Sequence, residues 1–112
     1  MTKQKIAISV DFEDFSQDYR RAILGTEDYR PRREALWAAY RKANKLCDTH
    51  LGGRRMTFFT TGILAQHVPD LVRAMADDGH EVGCHYYFHD DVGSEKTELL
   101  AQRLDSAIGY LS

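Results

Sequence analysis

At 112 residues, with a formal net charge of −2, 43% hydrophobic and 29% charged residues, the chain has the composition of one ordinary folded domain and not of a disordered segment. The balanced charge excludes a basic stripe for phosphate backbones, so no nucleic-acid partner is expected; Arg30-Pro31-Arg32-Arg33 and Arg54-Arg55 read as solvated surface charge. No apolar run approaches the ~18 residues of a membrane span and no secretory leader pattern is visible, so the expected location is cytoplasmic, where Cys47 and Cys84 remain reduced thiols.

The first apolar run, residues 5–10, is rich in β-branched residues and enters the acidic sequence Asp11-Phe12-Glu13-Asp14, as expected of a buried parallel strand that delivers polar groups at its carboxyl end. Residues 15–30 hold no period and read as a long loop over the strand ends. After Pro31, Leu36, Tyr40, Ala43 and Cys47 recur at helical spacing, Trp37 widens the stripe, and Gly52-Gly53 ends the helix. Residues 56–61 form a second strand closed by Gly62. Pro69 opens a helix with Leu71, Val72 and Met75 inward, and Gly79 stops it. Residues 80–84 make a third, short strand, and Ser94 caps a last helix in which Leu100, Leu104, Ile108 and Leu111 share a face. The fold class is therefore α/β, a parallel βαβαβα segment with its site at the carboxyl ends of the strands.

Past the third strand stands Gly83-Cys84-His85-Tyr86-Tyr87-Phe88-His89-Asp90, with two imidazoles four residues apart. Such a pair can converge on one divalent ion when the intervening residues coil by about one helical turn. Strand alternation puts Cys84 on the face opposite His85, as a buried structural thiol rather than a ligand. Two strand ends carrying metal-compatible groups, the acids and the histidines, read as one site. His50, His67 and His80 lack that context and read as surface or capping residues.

Together these segments resemble the polysaccharide deacetylase family, the NodB-homology domains. Ser9-Val10-Asp11-Phe12-Glu13-Asp14 is similar to the family's first motif and His85-Tyr86-Tyr87-Phe88-His89 to its second; Thr57-Phe58-Phe59-Thr60-Thr61-Gly62 and Asp78-Gly79-His80-Glu81-Val82-Gly83 are similar to the segments between them. The resemblance implies the N-terminal part of a distorted (β/α)7 barrel, so that residues 1–112 form a single, incomplete domain. It further implies a metal-dependent hydrolase that removes an N-acetyl group from an amino sugar, with Zn²⁺ or a similar divalent ion as cofactor. Carried over by motif, Asp11 is the base, and Asp14, His85 and His89 are the metal ligands. Glu13 is the alternative ligand, and a register with Glu13 as the base stays open. Asp14 is favoured over Glu13 as the ligand because it lies beyond the strand, where the backbone can turn it inward, although strand alternation keeps Asp11 and Glu13 on one face. Tyr86 stands where the family usually has Ser or Thr, and Thr60 and Thr61 are candidates to line the pocket. Counterparts of the family's arginine loop and late Leu-x-His do not occur in the chain, and an unpaired sheet edge makes a homo-oligomer an expected state.

The bland reading of the acids is a solvated loop cluster, and that of the histidines a hydrogen-bonded structural pair; the joint occurrence favours the site. A phosphoacceptor receiver domain has a similar length and βα order. It needs an Asp at the end of its third strand, where this chain has Cys84-His85. An allantoinase-like hydrolase of a small cyclic amide and a non-catalytic remnant are the remaining alternatives.

Overall fold

The computed structural model describes residues 6–87 and 96–111. In chain order it has β1 (Ser9–Phe12), α1 (Phe15–Ala22), α2 (Arg33–His50), β2 (Thr57–Thr60), α3 (Gly62–His67), α4 (Pro69–Asp77), β3 (Glu81–Cys84) and α5 (Thr97–Leu111). The strands form one parallel sheet of order β1-β2-β3, in register Val10 with Phe58 with Val82 and Asp11 with Phe59 with Gly83. Parallel pairing forces a crossover between successive strands, and the helices supply it.

Alternation divides the sheet into two faces. Val10, Phe12, Phe58 and Val82 share the face that joins the core, where α2 contributes Leu36, Tyr40 and Cys47 and α4 contributes Leu71, Val72 and Met75. Phe58 is fully buried at its centre and meets Phe12 and Tyr40 edge-on at ring-centroid distances of 5.8 and 5.6 Å. The other face carries Asp11, Phe59 and Gly83 and is open: the Asp11 side chain is 66% exposed, and Phe59 also reaches solvent. Phe59 lies across Gly83 so closely that a Cβ there would sit 2.6 Å from its ring.

Expectation and structure differ at several points. Residues 15–30 are not all loop, because α1 occupies their first half. α3, six residues long, was not expected between the second strand and Pro69. β1 runs to Phe12, so Asp11 lies within the strand and not in the turn after it. Cys84 does oppose His85 across the pleat, yet as the last residue of the edge strand β3 it is exposed, not buried. The expected cap Ser94 lies outside the described residues. Among the described residues no helix is long and apolar enough to cross a membrane.

His80 is the clearest reversal, since it is buried and not on the surface. Its Nδ1 accepts a hydrogen bond from the Met56 backbone N–H at 3.2 Å, and Nε2 lies 2.8 Å from Asn44 Oδ1. These partners assign the neutral tautomer with its proton on Nε2. Burial, reinforced by the nearby Arg55 charge, pushes the imidazole pKa below its ordinary value. In the unfolded chain the ring protonates at that ordinary value, so the unfolded state takes up protons first as pH falls. Stability from His80 is then complete above about pH 6.5 and declines below it. Urea denaturation between pH 7.5 and 5.5 should show this acid-side loss in the parent, and a flatter profile in His80→Gln.

Candidate active site

The open face of the sheet ends, at its carboxyl edge, in Asp11, Glu13 and His85. The Asp11-x-Glu13 spacing keeps both acids on one side of an extended chain. His85 joins them from β3: its backbone N–H donates to Thr60 O at 2.9 Å, extending the ladder by one residue and holding the ring on the same side as Gly83. His85 Nε2 lies 3.6 Å from Asp11 Oδ2 and 3.8 Å from Glu13 Oε2. Asp11 is the most exposed of the three side chains, whereas Glu13 and His85 are 25% and 26% exposed.

Asp14 has a different neighbourhood. It is the N-cap of α1: Oδ1 accepts from Ser16 N and Ser16 Oγ at 3.0 and 2.7 Å, satisfying an otherwise unpaired helix donor. Oδ2 accepts from the Tyr29 hydroxyl at 2.9 Å and from Arg32 N at 3.1 Å. Four donors therefore surround a buried carboxylate. Tyr29 is buried as well, its phenol pKa raised by desolvation and then by the Asp14 charge, and its ring stacks on His67 at 5.1 Å. Asp14 thus ties the segment before α2 to the start of α1, a role that sequence reasoning missed. Tyr29 is fifteen positions away, and no local spacing signals the pair.

The other expected residues separate by environment. Thr60 is fully buried, and its hydroxyl reaches Phe58 O at 3.4 Å, which places it in the core and not on the open face. Thr61, also buried, is the N-cap residue of α3 without a side-chain cap bond. Tyr86 follows His85 with a positive φ of 58°, and its carbonyl accepts from Gly62 N. His89 lies outside the described residues. His50 and His67 are exposed.

Two imidazoles and a carboxylate are suitable donors for zinc, and two bonds of about 2.1 Å at a tetrahedral angle set their donor atoms about 3.4 Å apart. The His85 separations from both acids are close to that spacing. Among the described residues no group of three His, Cys, Asp or Glu side chains is arranged to hold a metal ion. The donor chemistry of His85 with Glu13 or Asp11 is compatible with a divalent ion.

Comparison with known proteins covers the part of the site that carries His85; Asp11, Glu13 and Asp14 precede the residues matched to the family model. The family model for polysaccharide deacetylase matches residues 51–112, from the end of α2 through β2, β3 and α5. Over 50 residues, 45% of this chain, the sequence is 36% identical to the peptidoglycan-N-acetylmuramic acid deacetylase PdaA of Bacillus subtilis, and 38% identical to an uncharacterised 30.6 kDa protein of Geobacillus stearothermophilus. The matched segment spans 19% of the length of each relative. No solved structure matches the chain. With more than half of its residues matched to the family model, the chain belongs to the polysaccharide deacetylase family.

Proposed function

We propose that the protein contributes the acid and histidine half of a metal-dependent deacetylase site that hydrolyses the N-acetyl group of an amino sugar, within a (β/α) barrel of which β1, β2 and β3 are neighbouring strands. One observation carries this reading: in a chain of this family, Asp11, Glu13 and His85 meet on the open face at the carboxyl edge of a parallel sheet, the edge at which α/β folds place their sites. The activity of the Bacillus relative, deacetylation of N-acetylmuramic acid in peptidoglycan, supports the substrate class and favours it over a cyclic amide.

Hydrolysis of an acetamide requires removal of a proton from the attacking water, stabilisation of charge on the acyl oxygen, and a proton for the departing amine. A divalent ion held by His85, His89 and one acid of the first motif would acidify water and polarise the acyl carbonyl. Glu13 is supported as that acid by its position beside His85. Asp14 could serve only by giving up hydrogen bonds to Tyr29 and Arg32 or to Ser16. Asp11, more open to solvent, is suited to take the proton from water, and it needs no rearrangement to face the same space as His85.

Acetate release from N-acetylated amino-sugar oligomers by a complete barrel that carries this segment tests the reading. Asp11→Asn should lower turnover by about a hundredfold or more while leaving the melting profile near that of the parent, since an exposed carboxylate contributes little to folding. Equal turnover by parent and variant would remove Asp11 from the chemistry. No acetate from a complete barrel that carries these residues, on any N-acetylated amino sugar, would overturn the function.

A further inference from the structure

We propose that Tyr86 is a positioning residue: its left-handed backbone locks the segment that presents His85 onto the N-terminus of α3. The only positive φ on a non-glycine residue among the described residues is at Tyr86, next to His85. An L-residue with a Cβ enters that region at a population cost of about tenfold, so its occurrence calls for a structural return. The return is visible in the backbone. His85 N–H is still bonded to the strand partner Thr60, whereas the next two carbonyls, Tyr86 O and Tyr87 O, accept from Gly62 N at 2.7 Å and Ile63 N at 2.9 Å.

Those two donors are the first N–H groups of α3, which have no partner within their own helix. Thr61 leaves them uncapped by its side chain, and the 86–87 segment fills that role. The reversal at Tyr86 lets one short segment end a β-ladder and cap a helix two residues later. Side chains reinforce the dock: the Tyr87 ring lies against Gly62, closely enough that a Cβ there would be 2.7 Å away, and the Tyr87 hydroxyl donates to Gln66 Oε1. His85 is consequently fixed through its own N–H before the reversal and through the docked carbonyls after it. Its ring is held toward Asp11 and Glu13.

A glycine and alanine pair reads the backbone separately from the phenol ring, since both variants delete the ring. In ordinary helical or extended backbone alanine is the more stabilising of the two, and in the left-handed region the order reverses. Hydrogen exchange of the Gly62 and Ile63 amides in metal-free protein should therefore be slower in Tyr86→Gly than in Tyr86→Ala, by about tenfold, with Tyr86→Asn between them. Amides in β2 report global stability and keep the comparison usable if one variant is weakened. Zinc affinity, measured by competition titration, should follow the same order. The metal arm rests on the deacetylase reading, whereas the exchange arm does not. Alanine equal to or better than glycine at Gly62 and Ile63 would overturn the proposal. A parent that binds no zinc would contradict the metal reading and leave the exchange order to decide the role of Tyr86.

Discussion

Gly62→Val should detach α5 and cost about 3 kcal/mol or more, a large share of the few kcal/mol that hold a domain of this size together. At Gly62 a Cβ would stand 2.6 Å from Ala107 Cα, 2.7 Å from the Tyr87 ring and 2.8 Å from Ala107 Cβ. The first of these is backbone, which cannot swing aside as a side-chain tip can. α5 packs along α3 with Ala107 fully buried at the crossing, so small residues on both helices set the approach. Because Gly62 N also donates to Tyr86 O, a shift there loosens the segment behind His85. Gly109, in α5, has nothing within 4 Å of its Cβ position. Gly109→Ala should accordingly be neutral or stabilising by about 0.5–1 kcal/mol. Urea denaturation of the two variants beside the parent decides this; similar midpoints for both would mean that the crossing is not tightly packed.

The parallel sheet, the long helix after Pro31 and the meeting of two strand ends were legible because each rests on a local pattern. Leu36, Tyr40 and Cys47 fall on one helical face and are all buried. Pro69 does open α4. α1 was illegible for the opposite reason: it buries Gln17 and turns Phe15 and Tyr19 toward solvent, as its C-cap Ile23 also is, so its periodicity is inverted relative to a helix seated on a core. α3 is buried at Gly62, Ile63, Leu64 and Ala65 in succession, too short and too uniformly covered to show a period. His80 was misread because its partners Asn44 and Met56 come from other parts of the chain. Alternation along β1 did anticipate that Asp11 and Glu13 would lie together and apart from Asp14. The partners that engage Asp14 are tertiary, and no spacing in the first motif announces them.

Asp14 and Glu13 therefore offer the sharpest contrast in the site. Replacing one Asp14 oxygen by an amide NH2 leaves a single acceptor, which can keep the Ser16 bonds while the NH2 meets the Tyr29 hydroxyl and the Arg32 N–H. Asp14→Asn should keep the helix cap yet lower stability by about 1–3 kcal/mol, since the Arg32 N–H loses its charged acceptor and faces another donor. Glu13→Gln should cost much less in folding, as Glu13 caps no helix. For metal the expectation inverts.

The divalent-ion content of parent, His85→Ala, His89→Ala, Glu13→Gln and Asp14→Asn proteins after zinc loading and dialysis, with a melting curve for each, decides whether these residues form a metal site. The parent should hold a single tightly bound ion, most of which is lost in His85→Ala, His89→Ala and Glu13→Gln and kept in Asp14→Asn at reduced stability, because two remaining ligands seldom hold zinc well. Undiminished metal in His85→Ala, or a parent that holds none, would contradict the site; metal lost in Asp14→Asn and kept in Glu13→Gln would transfer the ligand role to Asp14.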